Sequence, residues 1–232
     1  MKKLIAIILR VLGFIAIILL SIGIFILIAF IQEELFVPKE YIIWIFRSPY
    51  SGLVFIFEVY LFGAYFYVFN KEFRDAWRYG GFFKKYRKIL LASITAFTIV
   101  LLYTVITPVT VVKADKIVNY AFLAPMGKEY SYNDIVKIQT GVYGKGRSSV
   151  FGHSKGDFFY IIELNDGTKI NLAEVGGTPK DADERFIIEK LDIRLVNMNV
   201  PKETSMKNFE YTKKSLGKIY TDKIRNILEN TK

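Results

Sequence analysis

The only histidine, His153, stands beside Ser154, the one place where a neutral-pH base and a hydroxyl nucleophile are neighbours in this sequence. Adjacency does not make a nucleophile–base pair, because a triad is defined by geometry and needs a third group to orient the base. His153 therefore reads as a surface-loop histidine. Around it Gly141, Gly144, Gly146, Gly152 and Gly156 are interspersed with Lys145, Arg147 and Lys155, a composition able to cradle a phosphate. The spacing matches neither a P-loop nor a dinucleotide fingerprint, and a flexible hairpin loop is the simpler reading. Asp181, Asp183 and Glu184 lack the glycine turn and distal glutamate of a calcium loop, and read as acids that complement the dipole of a helix start. The chain has no cysteine, which excludes disulfide scaffolds, iron–sulfur centres, cysteine nucleophiles and Cys/His zinc sites. No catalytic residue, metal ligand or cofactor site is expected, and the protein is read as non-enzymatic.

The elements that hold these residues are set by composition. Of 232 residues, 52% are hydrophobic and 16% aromatic, with 32 basic against 22 acidic side chains, too apolar for an ordinary soluble domain. Residues 11–31 carry no charge over 21 positions, about 31 Å of helix at roughly 1.5 Å per residue, which predicts a first transmembrane helix. Lys2, Lys3 and Arg10 precede it, but the run is too long for a secretory signal and no small-x-small cleavage site follows, so an uncleaved anchor is expected. Residues 51–69 and 89–107 form a second and a third candidate. In the third, Ala92 and Ala96 make a small-xxx-small pair. Glu58 is the one ionisable side chain inside a span, where charge is costly; it reads as a neutral carboxyl hydrogen-bonded to a hydroxyl of the third span, with a proton relay or coupling site as the functional alternative.

Loop charges predict orientation. Residues 70–88 hold Lys71, Arg74, Arg78, Lys84, Lys85, Arg87 and Lys88 against Glu72 and Asp75, whereas residues 32–50 hold only Lys39 and Arg47. Short basic loops stay in the cytoplasm, and the basic N-terminus agrees, so three crossings place everything after Pro108 outside. In the basic segment Phe69, Phe73 and Trp77 recur at helical spacing beside Lys71, Arg74 and Arg78, before Gly80-Gly81 breaks the pattern. Such a segment can lie at the inner leaflet, rings among acyl chains and the cations, with Trp77, at anionic headgroups. The plainer reading is an orientation signal with an aromatic belt.

Residues 108–232 are predicted to form one domain outside the membrane part of residues 1–107. Its excess of basic residues is only four (20 against 16) without a basic stripe, so nucleic acid is not an expected partner. Residues 109–123 are β-branched and aromatic, Pro125-Met126-Gly127 reads as a turn, residues 130–143 as a strand, 158–164 as a central strand, and Asn165-Asp166-Gly167 as a hairpin turn before a return strand at 169–172. Thr178-Pro179-Lys180-Asp181 reads as a helix start, with Ile187, Ile188, Leu191, Leu195 and Met198 on its buried face, and a last helix is expected near 216–228. These strands and helices predict a self-contained fold from about Thr110 onward.

The run Tyr130-Ser131-Tyr132-Asn133-Asp134-Ile135-Val136-Lys137-Ile138, followed by Phe159-Tyr160-Ile161-Ile162-Glu163-Leu164-Asn165-Asp166-Gly167-Thr168-Lys169-Ile170 and a helix, resembles the bacterial PH-like domains attached to membrane spans, over roughly residues 109–200. The resemblance implies an α+β domain, antiparallel sheet plus helix, that binds or assembles and has no catalytic residues, in a setting of envelope stress or resistance to membrane-active peptides. The expected protein is a bacterial cell-envelope, multi-pass membrane protein: three transmembrane helices followed by a PH-like domain, in contact with the bilayer and with a membrane-protein partner or a second copy. A transporter or channel subunit with Glu58 in its path is the alternative.

Overall fold

A computed structural model describes residues 2–146 and 152–231; Arg147 of the glycine-rich stretch lies outside the described residues. The chain divides into two compact units, Met1–Ile31 with Gly52–Ile106, and Gln32–Ser51 with Thr107–Lys232.

The first unit is helical: α1 (Lys2–Phe36), α2 (Ile56–Phe69, after a 3-10 turn at Tyr50–Phe55), α3 (Lys71–Tyr79) and α4 (Gly81–Ile106). Three segments, Leu4–Phe36, Tyr50–Phe69 and Gly81–Ile106, are long and apolar enough to cross a membrane. The first and third reach beyond the expected starts at 11 and 89, and the first beyond its expected end at 31, because the flanking Gln, Glu, Lys and Arg are good helix formers, whereas the second is α-helical only from Ile56. Large apolar side chains such as Leu19, Ile26 and Ile99 point outward, the character of helices solvated by lipid. Inside, Ile28, Val54, Leu101 and Val105 form a small core. At Gly13 of α1 an added β-carbon would lie 2.6 Å from the Phe69 ring of α2, so the missing side chain is what admits that ring.

The second unit contains two sheets. In chain order its strands are β1 (Ile43–Phe46), β2 (Val109–Val112), β3 (Lys116–Ala121), β4 (Ala124–Ser131), β5 (Ile135–Val142), β6 (Phe158–Leu164), β7 (Lys169–Asn171), β8 (Val175–Gly177) and β9 (Lys202–Thr204); its helices are α5 (Glu184–Asn197), α6 (Phe209–Ser215) and α7 (Lys218–Glu229). The sheets run β4-β3-β2-β1-β8 and β7-β6-β5-β9. All pairings are antiparallel except β5 with β9. Between them Ile43, Ile45, Ile138, Tyr160, Ile162, Leu164 and the α5 residues Ile188, Leu191 and Leu195 make one core. A second cluster seats α6 and α7 through Val142, Phe209, Ile224 and Leu228.

Several local expectations are corrected. The β-rich stretch 109–123 is two strands around a turn at Lys113 to Asp115, clamped by the Tyr132 hydroxyl donating to the Lys113 carbonyl (2.6 Å) and Arg194 donating to that of Ala114 (2.6 Å). The turn expected at Pro125-Met126-Gly127 falls instead at Phe122 and Leu123; Gly127 sits inside β4 with φ +82°, where the β3–β4 ladder is irregular. α5 begins only after Asp183, whose carboxylate accepts the Arg185 amide at 3.0 Å, because Lys180 and Asp181 take left-handed conformations that end the 3-10 turn begun at Pro179. Met198 is exposed rather than buried; Asp192 and Val196 are buried on that helix instead.

The largest departure concerns residues 32–51. They were expected only to link two spans, yet β1 lies within the first sheet, between β2 and β8, and Ile43, Trp44 and Ile45 are no more than 1% exposed. The α+β unit is therefore not confined to residues 108–232. β1 and β2 pair as a hairpin would, Phe46 opposite Val109 and Ile43 opposite Val112, and the chain between them is α2, α3 and α4.

Candidate functional site

The expected headgroup contacts fall in the first unit. Asn70 caps α3 by accepting the Phe73 amide at 3.0 Å, and Gly80 ends it: a β-carbon there would lie 2.4 Å from the Ala76 carbonyl oxygen. The short helix expected from the aromatic spacing and broken at Gly80-Gly81 is α3, and the rest of the segment 70–88 forms the first turns of α4. Two of its cations serve the elbow itself. Arg74 donates to the carbonyls of Val68 (3.0 Å) and Tyr67 (3.4 Å), satisfying the end of α2, and Arg78 donates to the Tyr67 hydroxyl at 2.9 Å. Trp77 packs on Phe83 with ring centres 4.9 Å apart, joining α3 to α4.

Lys71, Lys84, Lys85, Arg87 and Lys88 are exposed and form no ion pair among the described residues. Four of them sit in the first eight residues of α4, which has no acid in its first turn. Cations at a helix N-terminus oppose its dipole by about 0.3–1 kcal/mol each near the end, so helix stability does not explain them. An anionic surface would offset that repulsion.

Glu58 is in the first turn of α2 and half-buried. The hydroxyl contact expected for it in the third span goes to a different residue: Thr98 Oγ1 and the Tyr60 hydroxyl are 3.1 Å apart, Thr98 also donating to the Ile94 carbonyl. Ala92 and Ala96 are exposed, and no neighbouring helix among the described residues covers them.

In the second unit a buried group of ionisable side chains joins several elements. Asp192, 1% exposed, accepts from the Tyr160 hydroxyl (2.8 Å), the Asn230 side chain (2.7 Å) and the Lys202 ammonium (2.7 Å). Lys202 also donates to the carbonyls of Ile227 and Asn230 at the end of α7. Burial pushes the Tyr160 hydroxyl well above its ordinary pKa, with the nearby Asp192 charge adding to it. Burial lowers that of Lys202, and Asp192 works against the shift. The network ties β6, β9, α5 and α7 together, and its Lys202 also lines a pocket with Val196, Asn199, Val200, Pro201 and Thr231. It was missed because an aspartate, a lysine and a tyrosine this far apart leave no spacing signal.

His153 stacks on Tyr143, ring centres 3.4 Å apart, and Lys155 lies over the Tyr211 ring at 3.7 Å, so both are engaged by aromatic neighbours. Asp183 caps α5 and pairs with Arg185 at 2.8 Å, and Glu184 pairs with the same arginine at 3.2 Å. Among the described residues no group of three or more His, Cys, Asp or Glu side chains is placed to hold a metal.

Trp44 sits on β1, next to the edge strand β8, and lies against Gly176 and Gly177 of that strand, with Phe46 beside it at a ring-centre distance of 4.9 Å. A signal for this strand was present: residues 41–46 are Tyr-Ile-Ile-Trp-Ile-Phe, a β-branched and aromatic run too short to cross a membrane. No family model, no curated protein and no solved structure matches the chain.

Proposed function

We propose that this is a non-enzymatic membrane protein in which three spans carry a PH-like α+β module that binds or assembles with a partner on the extracytoplasmic face. The observation that carries the reading is the β1–β2 pairing. A sheet made from residues on both sides of α2–α4 requires both flanks to share one compartment, which an even number of crossings between them supplies. The cations on α4, which form no ion pair among the described residues, support a reading in which the basic elbow faces anionic headgroups of the cytoplasmic leaflet. Support for a PH-like reading comes from two sheets whose pairings are antiparallel except β5 with β9, and from the helix α5 after β8, with the resembling segments 130–138 and 159–170 on β4, β5, β6 and β7. The resemblance suggests envelope stress tolerance or immunity to membrane-active peptides as the setting.

The test is a copurification after mild detergent extraction, run on the whole chain and on a chain whose lipid-facing residues in α1, α2 and α4 are replaced by leucine. A stoichiometric partner that survives the leucine replacement and is lost with Trp44→Ala supports a binding module. A partner lost only on replacing the span surfaces contradicts it and assigns the recognition to the membrane part.

A further inference from the structure

Among the described residues of the second unit, the two most exposed large apolar side chains lie together at the tip of the β3–β4 hairpin. Leu123 and Met126 are each 91% exposed, and Phe122 is 40% exposed. From Ala121 to Gly127 the chain has no charge and includes Pro125, so nothing at the tip favours water. Single exposed apolar residues need no explanation, but a contiguous, projecting group marks an interaction surface.

The register fixes which end of the sheet this tip occupies. Thr110 faces Asn119 and Val112 faces Ile117, so β3 runs from the Lys116 end back toward the start of β2 and continues past the level of Val109. Two to three further residues at about 3.3 Å each carry Leu123 roughly 7–10 Å beyond that level. The same end is where the second unit connects to the long apolar helices. Thr107 precedes β2 there, and Phe46, opposite Val109, leads into Arg47, whose amide bonds the Pro108 carbonyl. Phe36, the last residue of α1, rests its ring 4.8 Å from that of Tyr120 on β3, and its neighbour Leu35 is 65% exposed. Three passages of chain toward membrane-length helices and one apolar hairpin tip therefore share one end of the sheet. The opposite end, at the Lys113 to Asp115 turn, is covered by Arg194 of α5.

We infer that the β3–β4 tip, Phe122, Leu123, Pro125 and Met126, enters the bilayer that holds the spans, fixing the α+β unit against the membrane surface. The occupant is lipid rather than a protein groove because the tip is aligned with the chain's own routes into the apolar helices. This rests on the reading that those helices cross a membrane, and the test separates the two.

The chain has no cysteine, so Leu123→Cys and, as a control at the far end, Ile193→Cys on α5 each give one labelling site at an exposed position, 91% and 51% respectively. The full chain is reconstituted into phosphatidylcholine–phosphatidylglycerol vesicles and labelled with a polarity-sensitive fluorophore, and lipids bearing a nitroxide near the headgroup are then added. The inference predicts blue-shifted emission from position 123 that the nitroxide lipids quench, with neither effect at position 193. Equal, water-like emission at both positions in a chain that still floats with the vesicles overturns the inference and leaves the spans intact. Blue-shifted but unquenched emission at position 123 also overturns it, assigning the tip to a protein contact. A chain that does not float with the vesicles contradicts the membrane reading itself.

Discussion

Trp44 and Gly177 face each other across β1 and β8, and a β-carbon on Gly177 would lie 2.6 Å from the Trp44 indole nitrogen. At Gly176 the same addition would come within 2.2 Å of the six-membered ring. The indole, 1% exposed, is held where only two successive glycines leave room for it, and the strand from between the first two spans is locked into the sheet by shape.

Gly177→Ala should therefore destabilise the protein by about 1–3 kcal/mol, the range for overpacking a filled site, and Trp44→Ala by about 3–5 kcal/mol. Thermal unfolding of the detergent-solubilised chain measures both. The two changes combined should lose less than their sum, because the alanine methyl occupies part of the space the indole vacates. Strict additivity would mean that the two residues do not share a site.

A fragment of residues 107–232 should not fold by itself, since β2 and β8 would lose the strand between them and the core would lose Ile43 and Ile45. Joining residues 32–51 to residue 107 through a short glycine-rich linker should restore a cooperative melt, because Phe46 and Val109 already stand opposite each other as at the base of a hairpin. Circular dichroism of the two polypeptides decides it. A cooperative transition in the unaided fragment, at the temperature of the fusion, would show β1 to be dispensable.

That comparison also marks how far the sequence was legible. The spans were visible as uncharged runs, and the hairpin at Asn165 to Gly167 through turn chemistry that depends only on neighbours; Gly167 indeed takes φ +82°. β1 was not assigned because its partners are far along the chain, and a six-residue apolar run beside a span has no period that declares a sheet. The short strands β8 and β9 escaped for the same reason, each being three residues long and paired only across long separations. At the basic elbow the residues were legible by charge, but the engagement of Arg74 and Arg78 with the end of α2 depends on how the chain folds back at Asn70.

Asp192→Ala should cost about 3–5 kcal/mol, since it leaves the Lys202 ammonium buried without its carboxylate. Tyr160→Phe, which removes one hydrogen bond to that carboxylate, should cost about 1.5–3 kcal/mol. In Asp192→Leu with Lys202→Met neither charge remains, and the loss should be smaller than for Asp192→Ala alone. Denaturant midpoints of the three variants test the order, and a double variant less stable than Asp192→Ala would contradict the assignment.

Asp166 joins the two hairpins by accepting from Lys128 (2.7 Å) and the Tyr130 hydroxyl (2.6 Å), and these bonds, that of Lys128 first, hold its pKa well below the usual carboxylate range. A depressed folded-state pKa means that its stabilisation is present above the unfolded value, about 3.9, and is lost as pH falls toward the folded one. Asp166→Asn should therefore flatten the pH dependence of stability below about pH 4 while reducing stability at neutral pH. An unchanged acid limb in the variant would remove Asp166 from the account.

The central claim is that residues 32–51 and 107–232 build one unit on the outer face, with the elbow of α3 and α4 on the other. Single cysteines at Glu40, Ser205 and Lys84, all exposed in this cysteine-free chain, can be labelled in intact cells with an impermeant thiol reagent and again after lysis. The account predicts that positions 40 and 205 react in intact cells and that position 84 reacts only after lysis. Labelling of 40 and 205 on opposite sides would contradict the shared sheet, and labelling of 84 alone in intact cells would contradict the orientation.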